Sequence, residues 1–337
     1  MRDEQTRGES ADVLDIASIE YLVFAGGGMR GLAYGGALAQ LAREGLDMVS
    51  MNRPIKGVAG TSIGALFAAM IAVRMTPECI LREIHSFQVN DLFSIDPCTL
   101  FYSLGFDEGA RLTGFLHGLL RKVTGREDLT LRELFLLSKL KLVIPVTNLN
   151  SGTVEYISHE SDPEMSLVEL LRMTMGIPIV FSPRKWKGSL YVDGGIMDNY
   201  PISQFPAHKT LGLKVFWSYS FRLDSLDQYV ARVVYCALYT SEKVQWQSIQ
   251  ENMRRRTAEI DVGDICTVEF KMTESALQAL VHKGELAVKR LFRPAAPLDS
   301  HTIGMAITSA VVELQMRARA PPSVRGDVDR RIVQGGD

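Results

Sequence analysis

Three short glycine-bearing stretches hold the residues of this chain with the clearest capacity for chemistry. Gly60-Thr61-Ser62-Ile63-Gly64 places a serine with a glycine two positions to either side. Upstream, Gly26-Gly27-Gly28-Met29-Arg30-Gly31 is a run of backbone amides with few side chains to block them. Downstream, Asp193-Gly194-Gly195 offers a carboxylate on a tight turn. A serine hydroxyl is a weak nucleophile near neutral pH unless a base lies within hydrogen-bond reach. Attack on a carbonyl also calls for N–H donors aimed at the oxygen that becomes negative.

The elements around each stretch decide between readings. Alone, the serine pentapeptide is equally a serine in an ordinary loop. Here a β-branched run, Ile55–Ala59, precedes it, and an uncharged apolar run, Ala65–Val73, follows it. That is strand, sharp turn, helix, with Ser62 at the apex: a nucleophile elbow, in which Gly60 and Gly64 let strand end and helix start nearly touch. The helix is apolar on every side and is expected to be buried.

The Gly26–Gly31 stretch satisfies G-x-G-x-x-G after the strand Ile19–Ala25, so a nucleotide- or cofactor-binding loop must be weighed. That use wants an acidic residue at the end of the second strand, where this chain has Ala59-Gly60-Thr61-Ser62. The alternative is an oxyanion hole beside the elbow, and the missing acid favours it. Arg30 either pins this loop or meets an anionic headgroup. None of the six histidines (His85, His117, His159, His208, His282, His301) neighbours a glycine turn. Asp193 is the remaining candidate base, against a plain reading as a turn carboxylate that accepts backbone N–H bonds.

Bulk properties narrow the field. A formal net charge of −2 over 337 residues argues against a dedicated nucleic-acid binder. Cys79, Cys98, Cys236 and Cys266 are scattered, which fits free thiols in a reducing compartment and offers no zinc site. The start is polar and lacks the apolar core of a signal peptide, so a cytoplasmic protein is expected. Gly57–Val73 carries no charge but contains the elbow turn and is short for a membrane span.

The rest of the chain reads as alternating elements. After a polar tail over 1–18, helices are expected at Leu32–Ala42, Pro77–Ser86, Gly109–Thr124, Leu131–Ser138 and Leu167–Met175. Strands are expected at Leu140–Leu149, Thr153–Ser158, Ser189–Val192 and Thr210–Trp217, with Pro145 awkward inside the first. Gly35 and Gly36 inside a helix suggest a close packing contact. Arg121, Lys122, Arg126, Arg132, Lys139 and Lys141 form a basic stretch, read as a solvated face or a surface for anionic headgroups. A long amphipathic helix is expected over Ser225–Arg254, an edge strand or hairpin over Glu259–Phe270, and helices at Glu274–Phe292 and His301–Arg319. With no internal repeat or linker, residues 19–320 count as one domain, with a motif-bearing core at 19–217, a helical part at 218–320 and a free tail at 321–337.

The three glycine motifs, in this order, resemble the patatin-like phospholipase family. So do Asn148–Gly152, Gly176–Pro183 and Tyr191–Pro201. The resemblance covers about residues 19–217. It implies a three-layer α/β/α fold with a mostly parallel central sheet, and a Ser-Asp dyad without histidine. Ser62 would be the nucleophile, Asp193 the base, and the Gly26–Gly31 loop the oxyanion hole, with Gly27 and Gly28 as its leading donors and the amide of Ile63 adding to them by general elbow geometry. The implied activity is acyl ester hydrolysis on phospholipids or other lipids met at a membrane surface, without metal or cofactor. A catalytically inactive lipid-binding relative would keep the fold alone.

Overall fold

The computed structural model describes residues 14–50, 55–86, 98–216, 242–263 and 273–293, with isolated helical positions at 229, 232, 233 and 236. The β-branched runs become the inner strands of one large sheet: β1 (Tyr21–Phe24), β2 (Gly57–Gly60), β4 (Lys141–Asn148) and β9 (Thr210–Phe216). β10 (Thr257–Asp261) joins them at one edge. The order is β10-β9-β1-β2-β4-β8-β7, where β7 is Arg184–Trp186 and β8 is Ser189–Asp193. The five strands from β10 to β4 are parallel, while β8 and β5 (Thr153–Ile157) run antiparallel to β4. A separate two-stranded pair joins β3 (Gly105–Asp107) to β6 (Ile179–Phe181).

Alternating side chains of β1 go to opposite faces, as a strand's period of two requires. Leu22 and Phe24 join the larger core, together with α1 (Ala33–Arg43), α2 (Ile63–Ala72), α3 (Pro77–Ser86), α5 (Ala110–Thr124), α6 (Leu131–Ser138), α7 (Leu167–Thr174) and α10 (Glu274–Phe292). Val23 and Ala25 face a thinner layer built from Tyr200, Ile202, Phe205, Trp246, Ile249 and Met253. This is the expected three-layer α/β/α arrangement, with one layer much the heavier. Every residue of α2 is buried, as its apolar sequence demands. The helical glycines mark close contact, as expected: a Cβ on Gly36 would lie 1.8 Å from the Val281 carbonyl oxygen of α10.

Pro145 proves useful in its strand. β4 pairs with β2 over Lys141–Val143 and with β8 over Val146–Asn148, so the proline sits between two partners. A residue with no N–H leaves no donor stranded at that handover.

Several expectations need correction. The helix expected to run unbroken to Arg254 ends sooner: a helix over 242–248 (α8) stops, and Gln250 is extended before α9 (Glu251–Arg255) begins. The break is held by Arg254, whose guanidinium donates to the carbonyls of Trp246 and Gln247, orphaned at the end of α8. The expected edge element is present as a parallel edge strand, β10, that starts two residues earlier than expected; residues 264–272 lie outside the described set. The very short β3, β6, β7 and α4 (Thr99–Ser103) escaped the sequence reading. Ile16–Ser18, at the end of the expected tail, forms a 3₁₀ turn capped by Asp15. The expected helix His301–Arg319 and the C-terminal tail lie outside the described residues.

The basic stretch is largely matched by acid. Arg121, Lys122, Arg126, Arg132 and Lys141 pair with Glu127, Glu83, Glu133, Glu164 and Glu160 in turn. No helix among the described residues is long and apolar enough to cross a membrane.

Candidate active site

Ser62 stands between β2 and α2 at φ 53°, ψ −125°, a conformation L-residues rarely adopt. Strain of this kind persists only where the surroundings over-determine it. Here the two elbow glycines do so. A Cβ on Gly60 would lie 2.3 Å from the Gly64 carbonyl oxygen. A Cβ on Gly64 would lie 2.6 Å from the carbonyl oxygens of both Phe24 and Ala25. Neither backbone can yield, so both positions require glycine. The turn lifts the serine to the N-terminus of a buried helix, where the peptide dipoles favour negative charge.

Asp193 ends β8 at the same place. Its carboxylate lies beside the Ser62 hydroxyl and accepts a hydrogen bond from the Gly195 amide at 2.8 Å. Burial pushes the Asp193 carboxyl up from 3.8 to about 7, with the Gly195 amide and the nearby Ser62 hydroxyl opposing that rise only in part. Its strand is held from both sides: the Asp193 amide donates to Gly176 O at 2.9 Å, and Thr147 Oγ1 donates to Asp193 O at 2.9 Å. Gly194 fits tightly against β4, since a Cβ there would lie 2.2 Å from Pro145 O.

The glycine loop runs beside the elbow. Gly28–Leu32 is a 3₁₀ helix with Gly27 preceding it, and the first amides of such a helix have no intrahelical acceptor. Gly27 cannot carry a side chain without striking Val215 Cγ2 at 2.5 Å, and Gly31 would strike Ile63 Cγ2 at 2.4 Å. Gly28 has a φ of 54°. The Gly31–Ile63 contact thus ties the end of the loop to the first residue of α2. Arg30 is only 2% exposed, so it belongs to the interior of the loop and not to a surface that meets headgroups.

The described histidines sit elsewhere, and His301 lies outside the described residues. His85 faces Glu274, His117 faces Glu127 O, His159 stacks on Phe135 at 3.8 Å, His282 faces Glu285, and His208 lies in the 3₁₀ turn Ala207–Lys209. Among the described residues no group of three or more His, Cys, Asp or Glu could hold a metal ion.

Two features of the site were not singled out from sequence. Thr174, at the end of α7, is fully buried and receives the Ser62 amide at 3.2 Å while donating to Pro145 O at 2.8 Å. It links the Ser62 turn to β4, the strand that pairs with β8, yet nothing in a threonine at a helix end announces that. The segment Met197-Asp198-Asn199 loops back over the site. Asn199 O accepts from the Gly26 amide at 2.9 Å, and Asp198 O accepts from Thr61 Oγ1 at 2.9 Å. Its one legible signal was its place in the stretch Tyr191–Pro201.

The fold and these three turns are those of a serine-elbow α/β protein, and comparison with known proteins narrows the class. The description "Patatin-like phospholipase" fits residues 22–206, more than half of the chain, and the chain belongs to that family. It is 26% identical over 186 residues to "Probable lipid hydrolase 463L" of Invertebrate iridescent virus 6, covering 54% of this chain and 61% of that one. It is 26% identical over 204 residues to a "cGAMP-activated phospholipase" of Pseudomonas aeruginosa, covering 55% of each. The chain spans less than two thirds of the length of these relatives. Among solved structures, VipD from Legionella pneumophila has a similar fold, with a TM-score of 0.58 at 16% identity over 89% of this chain and 76% of that one.

Proposed function

We propose that this protein is a lipid acyl hydrolase of phospholipase A type, acting through a Ser62–Asp193 dyad. The observation that carries the reading is the Ser62 hydroxyl set beside a buried carboxylate, that of Asp193, whose pKa is raised to about 7. A carboxylate at its ordinary pKa is a feeble base toward a hydroxyl; one raised toward neutrality comes much closer to the working pH. Family membership and the lipid hydrolase and phospholipase names of the relatives support the substrate class.

In the proposed reaction, Asp193 takes the Ser62 proton as Oγ bonds to the ester carbonyl carbon. The amides of Gly27, Gly28 and Ile63 hold the oxyanion. Collapse breaks the bond to the lysolipid oxygen, which leaves with the proton from Asp193. Water then gives a proton to Asp193 as its oxygen attacks the acyl carbon, and a second collapse frees the fatty acid and returns the proton to Ser62. Every step uses groups of this chain, the lipid and water.

The test is product analysis by mass spectrometry with mixed phospholipid and neutral-lipid vesicles, alongside covalent labelling by a fluorophosphonate. Fatty acid release that vanishes in Ser62→Ala, with labelling at Ser62 in the wild type, is expected. Labelling without turnover on any lipid would point to a different ester. Neither labelling nor turnover would leave a lipid-binding relative that has lost its activity.

A further inference from the structure

The segment Met197–Asn199 touches all three glycine turns. It starts from the base turn, with the amides of Met197 and Asp198 donating to Gly194 O at 3.1 and 2.9 Å. It reaches the elbow through Thr61, and the glycine loop through Asn199, which also approaches Gly26 O with its Nδ2 at 3.4 Å. A loop that spans three catalytic turns sets their mutual placement only if it is itself held.

What holds it comes from the far side of the sheet. Gln245 on α8 donates through Nε2 to Met197 O and, at 3.4 Å, to Asp198 Oδ1, while its Oε1 accepts from the Asn199 amide at 3.1 Å. One side chain thus engages three consecutive residues of the segment. The carboxamide is the only side-chain type that supplies donors and an acceptor in this fork without carrying charge.

The helix carrying Gln245 is anchored in turn. Lys214, on β9 and 1% exposed, forms an ion pair with Glu242, one turn before Gln245. Its ammonium lies 5.7, 5.0 and 5.6 Å from the ring centres of Tyr200, Phe216 and Trp246. A buried ammonium is tolerated only where a counter-ion and ring faces replace water. That arrangement fixes the first turn of α8 against the sheet. The next residue of β9, Val215, is the one that packs on Gly27.

The geometry points to Gln245 as a positioning residue: it clamps Met197–Asn199, and through Asn199 and Thr61 sets the glycine loop and the elbow relative to Asp193. This rests on the hydrolase reading above. The cost of misplacement falls on the chemical step, because oxyanion donors and nucleophile must register to within fractions of an ångström. Ground-state binding of an acyl chain makes no such demand.

The test compares Gln245→Met, which keeps length and loses all three hydrogen bonds, with Val244→Ala, an exposed neighbour on the same helix that makes no bond to the segment. Both are assayed with the full chain on phospholipid vesicles, and Ser62 capture by a fluorophosphonate is timed in parallel. Gln245→Met is expected to lower kcat by roughly 10–100-fold with KM changed about twofold or less, and to slow capture in proportion. Val244→Ala should match the wild type. Asn199→Ala should lower kcat as well, and the two losses should not multiply in the double variant, since both act through one loop. Three results would each overturn the proposal: wild-type kcat in Gln245→Met below its melting transition, a loss confined to KM, or losses that multiply with Asn199→Ala. Absence of turnover and labelling in the wild type would instead strike at the hydrolase reading, because the positioning claim is read as a ratio to wild type.

Discussion

Two buried aspartates five residues apart, Asp193 and Asp198, occupy the same rim of the sheet and differ in how they are held. Both are nearly inaccessible to water, and burial raises the carboxyl of each above its ordinary value. Asp198 is tied on both oxygens: Oδ1 accepts from the Tyr200 amide at 3.0 Å and from Gln245, and Oδ2 accepts from Tyr156 at 2.7 Å. Asp193 accepts from one turn amide and otherwise faces the serine hydroxyl. Depth alone therefore does not mark a base. A carboxylate whose lone pairs are committed to fixed donors is a structural fastener, and one whose partner is a movable hydroxyl proton can take that proton.

If that contrast is right, its largest consequence is in turnover. Asp193→Asn preserves shape and removes the proton acceptor, so kcat/KM should fall by at least about 10³-fold. Asp198→Asn keeps an acceptor for Tyr156 or Tyr200 and should cost about tenfold or less, through loss of alignment. Steady-state assays of the two purified variants on one lipid check this, and equal losses would erase the distinction.

The pH profile sharpens it. The proposed reaction needs ionised Asp193, so kcat/KM should climb as pH rises through about 7 and level off above it. The same inflection should persist in Asp198→Asn, because no hydrogen bond joins the two carboxylates in the networks described. An inflection that moves by a full unit would mean that the pair titrates as a coupled unit.

Stability should respond in the opposite sense. Asp193 holds its proton more tightly in the folded chain than in the unfolded one. Its contribution is fully present below 3.8 and is lost as pH rises to about 7. Asp193→Asn is free of that loss. The inactive variant should therefore melt at a higher temperature than the wild type at pH 8, by an increment worth up to roughly 4 kcal/mol. The difference should shrink toward pH 4. Calorimetry across that range checks it, and a variant destabilised at pH 8 would show that the carboxylate is held by more than its turn amide and the serine beside it.

How far this was legible in the sequence follows from the range of the interactions. The elbow could be read because its requirements are local: Gly60 and Gly64 meet backbone within four residues in sequence or on the adjoining strand β1. Strands β1, β2, β4 and β9 and helices α2, α3, α6 and α10 were legible for the same reason, since periodicity is written into consecutive side chains. Thr174, Asn199 and Gln245 could not be found this way. Each acts through single hydrogen bonds to residues tens of positions away, and a polar residue gives no sign of its partner. The long-helix expectation failed similarly. Apolar spacing continues across Trp246, Ile249 and Met253, because all three face one cluster, although the backbone between them is broken.

The smallest effect isolates one fastener. Tyr156 donates to Asp198 Oδ2 at 2.7 Å, and burial together with the Asp198 charge raises its phenol, so it stays a donor throughout the working range. Tyr156→Phe keeps the ring that packs against the smaller apolar cluster and removes that one hydrogen bond. The expected cost is about 1 kcal/mol, or roughly 2 °C in melting temperature. Turnover should stay within about twofold, because Asp198 keeps its bonds to Tyr200 and Gln245 and the segment over the site keeps its path. A loss near that of Asp193→Asn would make Asp198 part of the reacting machinery and turn the fastener into a second acid-base group. A change in melting temperature without a change in kcat is what a carboxylate committed to holding the loop predicts.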